Sequence, residues 1–414
     1  MLRSRLDRKG LSMARASIPS LGILLVVAVL LPACTRHVGA VSPAYAERVR
    51  QFGFRLFAEM AQDSVPENMV LSPVGVEMCL AMAMNGAGGM TRTEMAQALG
   101  IHEAELDSLN RANAELLVAL SSSDHRVRLS VANSVWGRKD LAFSRTFQEK
   151  CSRSYGANVR SVDFTSQSAV RDVNRWASEK TGGLFPELVS STDPSDVLRA
   201  FSVMYFAGKW AVPFDQKYTS PGDFHLQDGR TVKRQMMYTG GDFACLDTDG
   251  FSAVLLPFAD RRFGMYVFVP AESSDLPRFL SSINDTTWRK WTSAFRVRPG
   301  LSIGLPRFII NARDELKTSL LRMHMTSAFD SASSDFSAMI DGRNTFPILL
   351  SGVTHCVIVD VEESGTVAAA ATSTELIMGS LPRIVVADHP FFFALTDTQT
   401  NVIIFMGAVY DPPQ

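Results

Sequence analysis

The two hydrophobic periods of this chain are segregated. Helix-type patterns fill the first half and strand-type runs the second, and that order constrains the fold more than any other feature. From Tyr45 onward, Val49, Phe52, Leu56, Phe57 and Met60 share one helical face. Asn68-Met69-Val70-Leu71 interrupts the pattern, and Ser72-Pro73 then supplies an N-cap followed by proline at the first helical position. The next helix, rich in Met, Leu and Ala, ends at Asn85-Gly86-Ala87-Gly88-Gly89. Thr91 is expected to cap a short helix over 92–99. A further helix over 103–120 turns Leu106, Leu109, Leu116, Leu117 and Leu120 inward. A strand over 129–136, a helix over 143–155, a strand over 158–164 and a helix over 167–180 follow. Beyond them, the runs 201–206, 253–258, 265–270, 301–305, 353–361 and 402–409 are short, apolar and bounded by turn residues, as strands are. A βαβ protein would alternate the two periods, so this chain reads as α+β. No repeat or linker divides it.

Composition narrows the function classes. Of the 414 residues, 46% are hydrophobic and 20% charged, which suits a folded chain rather than a disordered one. The net charge is −1; Arg3, Arg5, Arg8, Lys9 and Arg15 against Asp7 give the first 33 residues +4, leaving −1 − 4 = −5 for the remainder. Nothing here suggests a nucleic-acid surface. The 103–120 helix carries Glu103, Glu105, Asp107 and Glu115 against Arg111, so no heparin-like anion site is expected on it. The seven His residues form no HExxH, and GxSxG, Walker and dinucleotide motifs are missing. Neither an enzyme nor a metal or other cofactor is therefore expected. Cys34, Cys79, Cys151, Cys245 and Cys356 are far apart and show no metal spacing. Cys79 and Cys356 sit in apolar surroundings and read as buried free thiols, although sequence alone cannot pair the last four.

The amino terminus reads as an export signal: basic residues, an apolar run from Leu21 to Leu31, then Leu31-Pro32-Ala33-Cys34. The run is short for a membrane span. Its ending resembles the lipobox of bacterial lipoproteins, in which the Cys carries diacylglycerol and becomes the mature first residue; Pro32 is unusual within that motif. The expected organisation is a signal over 1–33, a tether over 34–45 and one folded domain over 46–414. The product would be exported and anchored through Cys34 on a periplasmic or outer face, or be extracellular. A plain cleaved signal and an uncleaved anchor are the alternatives, and initiation at Met13 leaves the reading unchanged.

Several phrases, in order, resemble the serpin family. They are Asn68-Met69-Val70-Leu71-Ser72-Pro73 with Gly86-Ala87-x-Gly89-x-Thr91; Asn133-Ser134-Val135-Trp136; Tyr155-Gly156-Ala157; and Val173-Asn174-x-Trp176 with Thr181-x-Gly183. Tyr205-Phe206-x-Gly208-x-Trp210-x-x-x-Phe214, Leu305-Pro306-Arg307-Phe308, Asp335-Phe336-Ser337, His389-Pro390-Phe391 and Phe405-Met406-Gly407 complete the series. The resemblance implies three β-sheets wrapped by eight or nine helices, a monomer, a metastable native state, and a reactive-centre loop over about 363–388. In the relaxed state of that family the main sheet gains a strand.

The loop can also be read for its own chemistry. After Glu363-Ser364-Gly365 comes Thr366-Val367-Ala368-Ala369-Ala370-Ala371-Thr372-Ser373-Thr374. Four Ala in a row favour helix, whereas the following Thr and Ser favour strand or turn. In a strand, Thr366, Ala368, Ala370, Thr372, Thr374 and Leu376 would share one face, all uncharged and so buriable. No Pro interrupts the run, so every N–H can join a ladder, and Gly365 offers a hinge. In inhibitory serpins this stretch has the same character. The resemblance thus implies a suicide-substrate inhibitor of serine, and also cysteine, endopeptidases; a non-inhibitory serpin acting as a binding module or protease substrate is the alternative. Counting from Glu363 puts the reactive bond at Gly379-Ser380. Side-chain chemistry favours Met378-Gly379, because Met378 can fill the pocket of a chymotrypsin-, elastase- or subtilisin-like protease. The resemblance further places Ser72, Ser202 and His355 in a cluster that holds the main sheet closed, and Trp210 where the loop enters. Gly75 and Ser202 depart from the family's usual Ser and Asn, and His324 stands where Gly is common.

Overall fold

The computed structural model describes residues 41–62, 67–121, 126–271, 276–342, 346–363 and 384–413. α1 (Pro43–Ala61) begins at Ser42, whose hydroxyl accepts from the Tyr45 N–H, and it buries the apolar face predicted for it. Proline at the first turn and serine before it start this helix inside the stretch expected to be a tether over 34–45. α2 (Pro73–Met84) is buried on every side, as its apolar composition requires, and its one charged residue, Glu77, is met by Tyr45 and Asn113. α3 (Gly89–Leu99) begins after Gly88 rather than at Thr91. Thr91 lies inside the helix, where its Oγ1 accepts from the Asp335 N–H and so serves a distant loop, not its own helix end. α4 (Leu106–Ser121), α5 (Arg145–Tyr155), α6 (Gln167–Thr181), α7 (Leu276–Ser282), α8 (Asp285–Ala294) and α9 (Lys317–Arg322) complete nine α-helices among the described residues. After α9 the backbone passes through His324 at φ +63°, a left-handed conformation that glycine adopts without strain.

Fourteen strands among the described residues form two hydrogen-bonded sheets. In chain order they are β1 (Met69–Leu71), β2 (Val127–Arg138), β3 (Asn158–Val162), β4 (Leu198–Gly208), β5 (Ser220–His225), β6 (Thr231–Asp247) and β7 (Phe251–Pro257), then β8 (Phe263–Pro270), β9 (Arg296–Pro306), β10 (Phe308–Glu315), β11 (Leu350–Val361), β12 (Ile384–Val386), β13 (Phe391–Asp397) and β14 (Val402–Val409). One sheet runs β10-β11-β4-β2-β3, and the other β1-β14-β13-β8-β7-β6-β9-β12 with β5 on β6. The three expected sheets appear as two because β6 pairs with β9 over Met236–Cys245 and with β7 over Ala244–Asp247, so the ladder never breaks between the second and the third.

The five-stranded sheet is covered on both faces. Its inner face contributes Met204, Phe206, Val357 and Val359 to the large core shared with α2 and β14. Its outer face packs beneath α6, where Trp136 and Trp176 meet edge to face at 6.3 Å. Cys79, Cys151, Cys245 and Cys356 are all buried, and burial pushes the Cys79 and Cys356 thiols up to about 12.

Candidate functional site

β11 and β4 lie side by side and parallel, from Leu350 opposite Leu198 to Asp360 opposite Ala207. Their outer neighbours, β10 and β2, are antiparallel to them. Parallel pairing is slightly the weaker kind, and within the five-stranded sheet this seam shares it with β2/β3 at the sheet's edge. A strand running the opposite way between β11 and β4 would be antiparallel to both, replacing one parallel seam with two antiparallel ones.

The mouth of the seam is where the chain leaves β11. The Trp210 indole N–H donates to the Glu362 carbonyl at 2.7 Å, and the Phe214 N–H donates to the Glu363 carbonyl at 3.0 Å. Trp210 is itself fixed by stacking on Phe258, with centroids 4.5 Å apart. The Glu363 carboxylate is buried, 3.6 Å from the Arg307 guanidinium. The chain is next described at β12, on the edge of the other sheet. Gly365, Thr366, Val367, Ala368, Ala369, Ala370, Ala371, Met378, Gly379 and Ser380 fall between these points and lie outside the described residues, as does Cys34.

Below the mouth, a polar row crosses the inner face. Asp314 on β10 is opposite His355 on β11, His355 is opposite Ser202 on β4, and Ser202 is opposite Asn133 on β2. The N-terminus of α2 meets this row. Ser72 Oγ accepts from the Gly75 N–H and donates to the Ile404 carbonyl, and the Ser72 N–H donates to His355 Nε2 at 2.9 Å. The imidazole is therefore neutral, with Nε2 as acceptor. Complete burial lowers its pKa to about 3, against a weak opposing pull from the Ser202 carbonyl. Burial likewise raises Asp314 to about 6. Ser72 and His355 are thus joined directly. Ser202 stands beside them without a hydrogen bond from its Oγ to any described residue. Gly75 follows from that arrangement: a Cβ there would come within 2.7 Å of Ser202 Oγ and 2.8 Å of Met204 Cγ. Asn133 entered the sequence analysis only as part of a family phrase, and Asp314 not at all. A polar residue at an inward position of a strand is the signal that could have marked them.

The family model for Serpin (serine protease inhibitor) matches residues 47–412. The chain belongs to the serpin family. Human Serpin B9 is 32% identical over 372 residues, covering 87% of this chain and 97% of that protein, and human Serpin B8 is 30% identical over 374 residues with the same shares. Among solved structures, the thermophilic serpin tengpin in the native state superposes with a TM-score of 0.81 at 24% identity, covering 89% of this chain and 95% of that one. Human thyroxine-binding globulin reaches 0.82 at 22% identity, with 91% and 100% covered. These last two likenesses bear on the fold. Serpins are mostly protease inhibitors rather than catalysts.

Proposed function

We propose that this serpin is a single-use inhibitor of serine endopeptidases. The observation that carries the reading is the parallel β11/β4 seam, whose mouth sits where the Ala- and Thr-rich segment begins. A protease would treat that segment as substrate. Its serine Oγ attacks the carbonyl carbon of Met378, the Met378-Gly379 amide breaks, and the Gly379 nitrogen leaves as a new amino terminus after taking a proton. An ester then joins the protease to Met378, which water would ordinarily hydrolyse. Cutting frees the segment after Gly365 to run down the seam as a sixth strand, antiparallel to both neighbours, with its uncharged face buried. The attached protease is drawn along and distorted before the ester is cleaved.

Incubation with chymotrypsin-, elastase- and subtilisin-like proteases tests this directly. An SDS-stable complex is the expected product. Cleaved serpin with no complex would refute inhibition and leave a non-inhibitory family member. The mass of the released carboxy-terminal peptide distinguishes Met378-Gly379 from the neighbouring Gly379-Ser380.

The same proposal includes a monomer exported and held at a membrane through lipid on Cys34. No helix among the described residues is long and apolar enough to cross a membrane. Cys34→Ser should move the protein to the soluble fraction, and an unchanged membrane share would exclude this anchor.

A further inference from the structure

The end of the seam farthest from Trp210 carries a side-chain bridge that spans three strands. Arg199, near the start of β4, donates from Nη2 to Glu315 Oε2 at 2.8 Å and to Thr354 Oγ1 at 3.1 Å, while its Nη1 lies 3.4 Å from Asp196 Oδ2. Glu315 is the last residue of β10, so its contact with Arg199 passes over β11. On the way it grips β11 itself: Oε1 accepts from the Val353 N–H at 2.7 Å, and Oε2 accepts from Thr354 Oγ1 at 3.0 Å. Gly352 makes room for the bridge, since a Cβ there would lie 2.9 Å from both carboxylate oxygens and 3.0 Å from Arg199 Nη2. The Val197 N–H adds a tie at the same end by donating to Ser351 Oγ at 2.8 Å. An arginine within Leu198-Arg199-Ala200-Phe201, an otherwise apolar strand start, is thereby held by partners on the strands it would have to part from.

We infer that Arg199 is a brake on the last stage of strand entry, clamping β4 to β11 and β10 until the incoming strand reaches the foot of the seam. The inference rests on the inhibitory reading above. Admitting a strand moves β4 from β11 by one strand spacing, about 4.8 Å, and every Arg199 bond to Thr354 and Glu315 must break. The rungs near Trp210 form without touching this bridge; the last rungs cannot. Because Arg199 and Glu315 are partly solvated, the brake is graded rather than absolute. It holds the intact molecule against premature opening, and after cleavage it lengthens the interval in which the ester can be hydrolysed. Arg199 is thus a positioning residue that tunes the division between trapped and released protease.

The experiment compares the parent with Arg199→Ala, Arg199→Lys and Thr354→Val. Each is mixed with subtilisin, the tryptophan fluorescence change that follows cleavage is recorded by stopped flow, and the products are divided into SDS-stable complex and free cleaved serpin. Arg199→Ala should complete entry about twofold to fivefold faster and yield a larger share of complex. Thr354→Val should move both readouts the same way by less, and Arg199→Lys should stay near the parent. A purely structural role would lower the melting temperature and leave the rate and the share of complex unchanged, which overturns the inference alone. A parent that is cut with no entry at all overturns the inhibitory reading and this inference with it. If Arg199→Ala does not fold, Thr354→Val carries the comparison under the same criteria.

Discussion

The β13/β14 pair and the β11/β4 pair lie in the same molecule but are closed by different physics. β13 and β14 are antiparallel and buried at every position. Their contacts are mostly apolar: Phe393 packs on Phe308, Phe392 on Phe57, and Phe405 on Phe206. The β11/β4 pair is parallel and, besides its buried apolar side chains, carries discrete polar fastenings at its two ends, Trp210 to Glu362 and Arg199 to Thr354 and Glu315, with the His355 row tied to α2 between them. An apolar interface has no step at which part of it can be released without exposing hydrocarbon to water. A row of separate hydrogen bonds and one ion pair can be undone one at a time, and each freed group can be met by an incoming partner. The lesson is that permanence and openability are assigned to different strand pairs by the chemistry at their junctions.

Four tests would break or sharpen this contrast. The largest effect is expected from Thr366→Arg, which puts a charge on the face proposed to enter the seam. It should abolish SDS-stable complex while leaving loop cleavage intact, and complex formation at the parental level would remove the seam from the mechanism. Next, Phe393→Ala in the dry pair should lower stability in urea by about 3–5 kcal/mol. A loss no larger than that of Ser202→Ala would erase the distinction between the two junctions.

A third test uses pH. His355 is held neutral with its pKa lowered to about 3, so the unfolded chain binds a proton that the folded chain refuses. Its contribution is complete above about pH 6.5 and is lost as pH falls toward 3, on the order of 5 kcal/mol at most. Asp314, in the same row and raised to about 6, acts oppositely: its contribution is complete below about pH 4 and fades as pH rises through 6. In urea midpoints measured across pH, His355→Gln should flatten the acid limb, and Asp314→Asn should flatten the fall between pH 4 and 6. If neither slope moves, the row is not buried as described. The smallest effect serves as a control away from both junctions: His324→Gly should relieve the left-handed backbone at φ +63° and add about 0.5–1 kcal/mol, read as a small rise in melting temperature.

Much of this arrangement was legible in the sequence where local chemistry decides the outcome. Ser72-Pro73 announced the start of α2, and the unbroken apolar run 402–409 matches β14 residue for residue. His355 and Ser72 were placed together only through the family resemblance; the structure joins them by a bond between residues 283 positions apart. β10 was missed because Asn311, Arg313 and Glu315 alternate with its inward Ile310 and Ala312, so only half the strand looks apolar. β6 was missed because Lys233, Arg234, Gly240 and Gly241 interrupt its pattern, and its strand character comes from three partners rather than from its own propensity. The Arg199–Glu315 contact joins residues 116 apart, beyond the reach of any periodicity. Its one sequence trace is a charge inside a buried run, which requires a partner without saying which.

The placement of β14 has a consequence for how such a chain can be made. The last strand in the sequence lies inside its sheet, between β1 and β13, and the earliest helices close onto it. Ser72 Oγ reaches the Ile404 carbonyl 332 residues later, and Arg50 reaches the Asn401 carbonyl across 351. The chain therefore cannot bury α1 and α2 in their final setting until β14 is available to pair. The arrival of β14 thus becomes the trigger for closure, and a chain that lacks this strand should leave the first eighty residues for chaperones to hold.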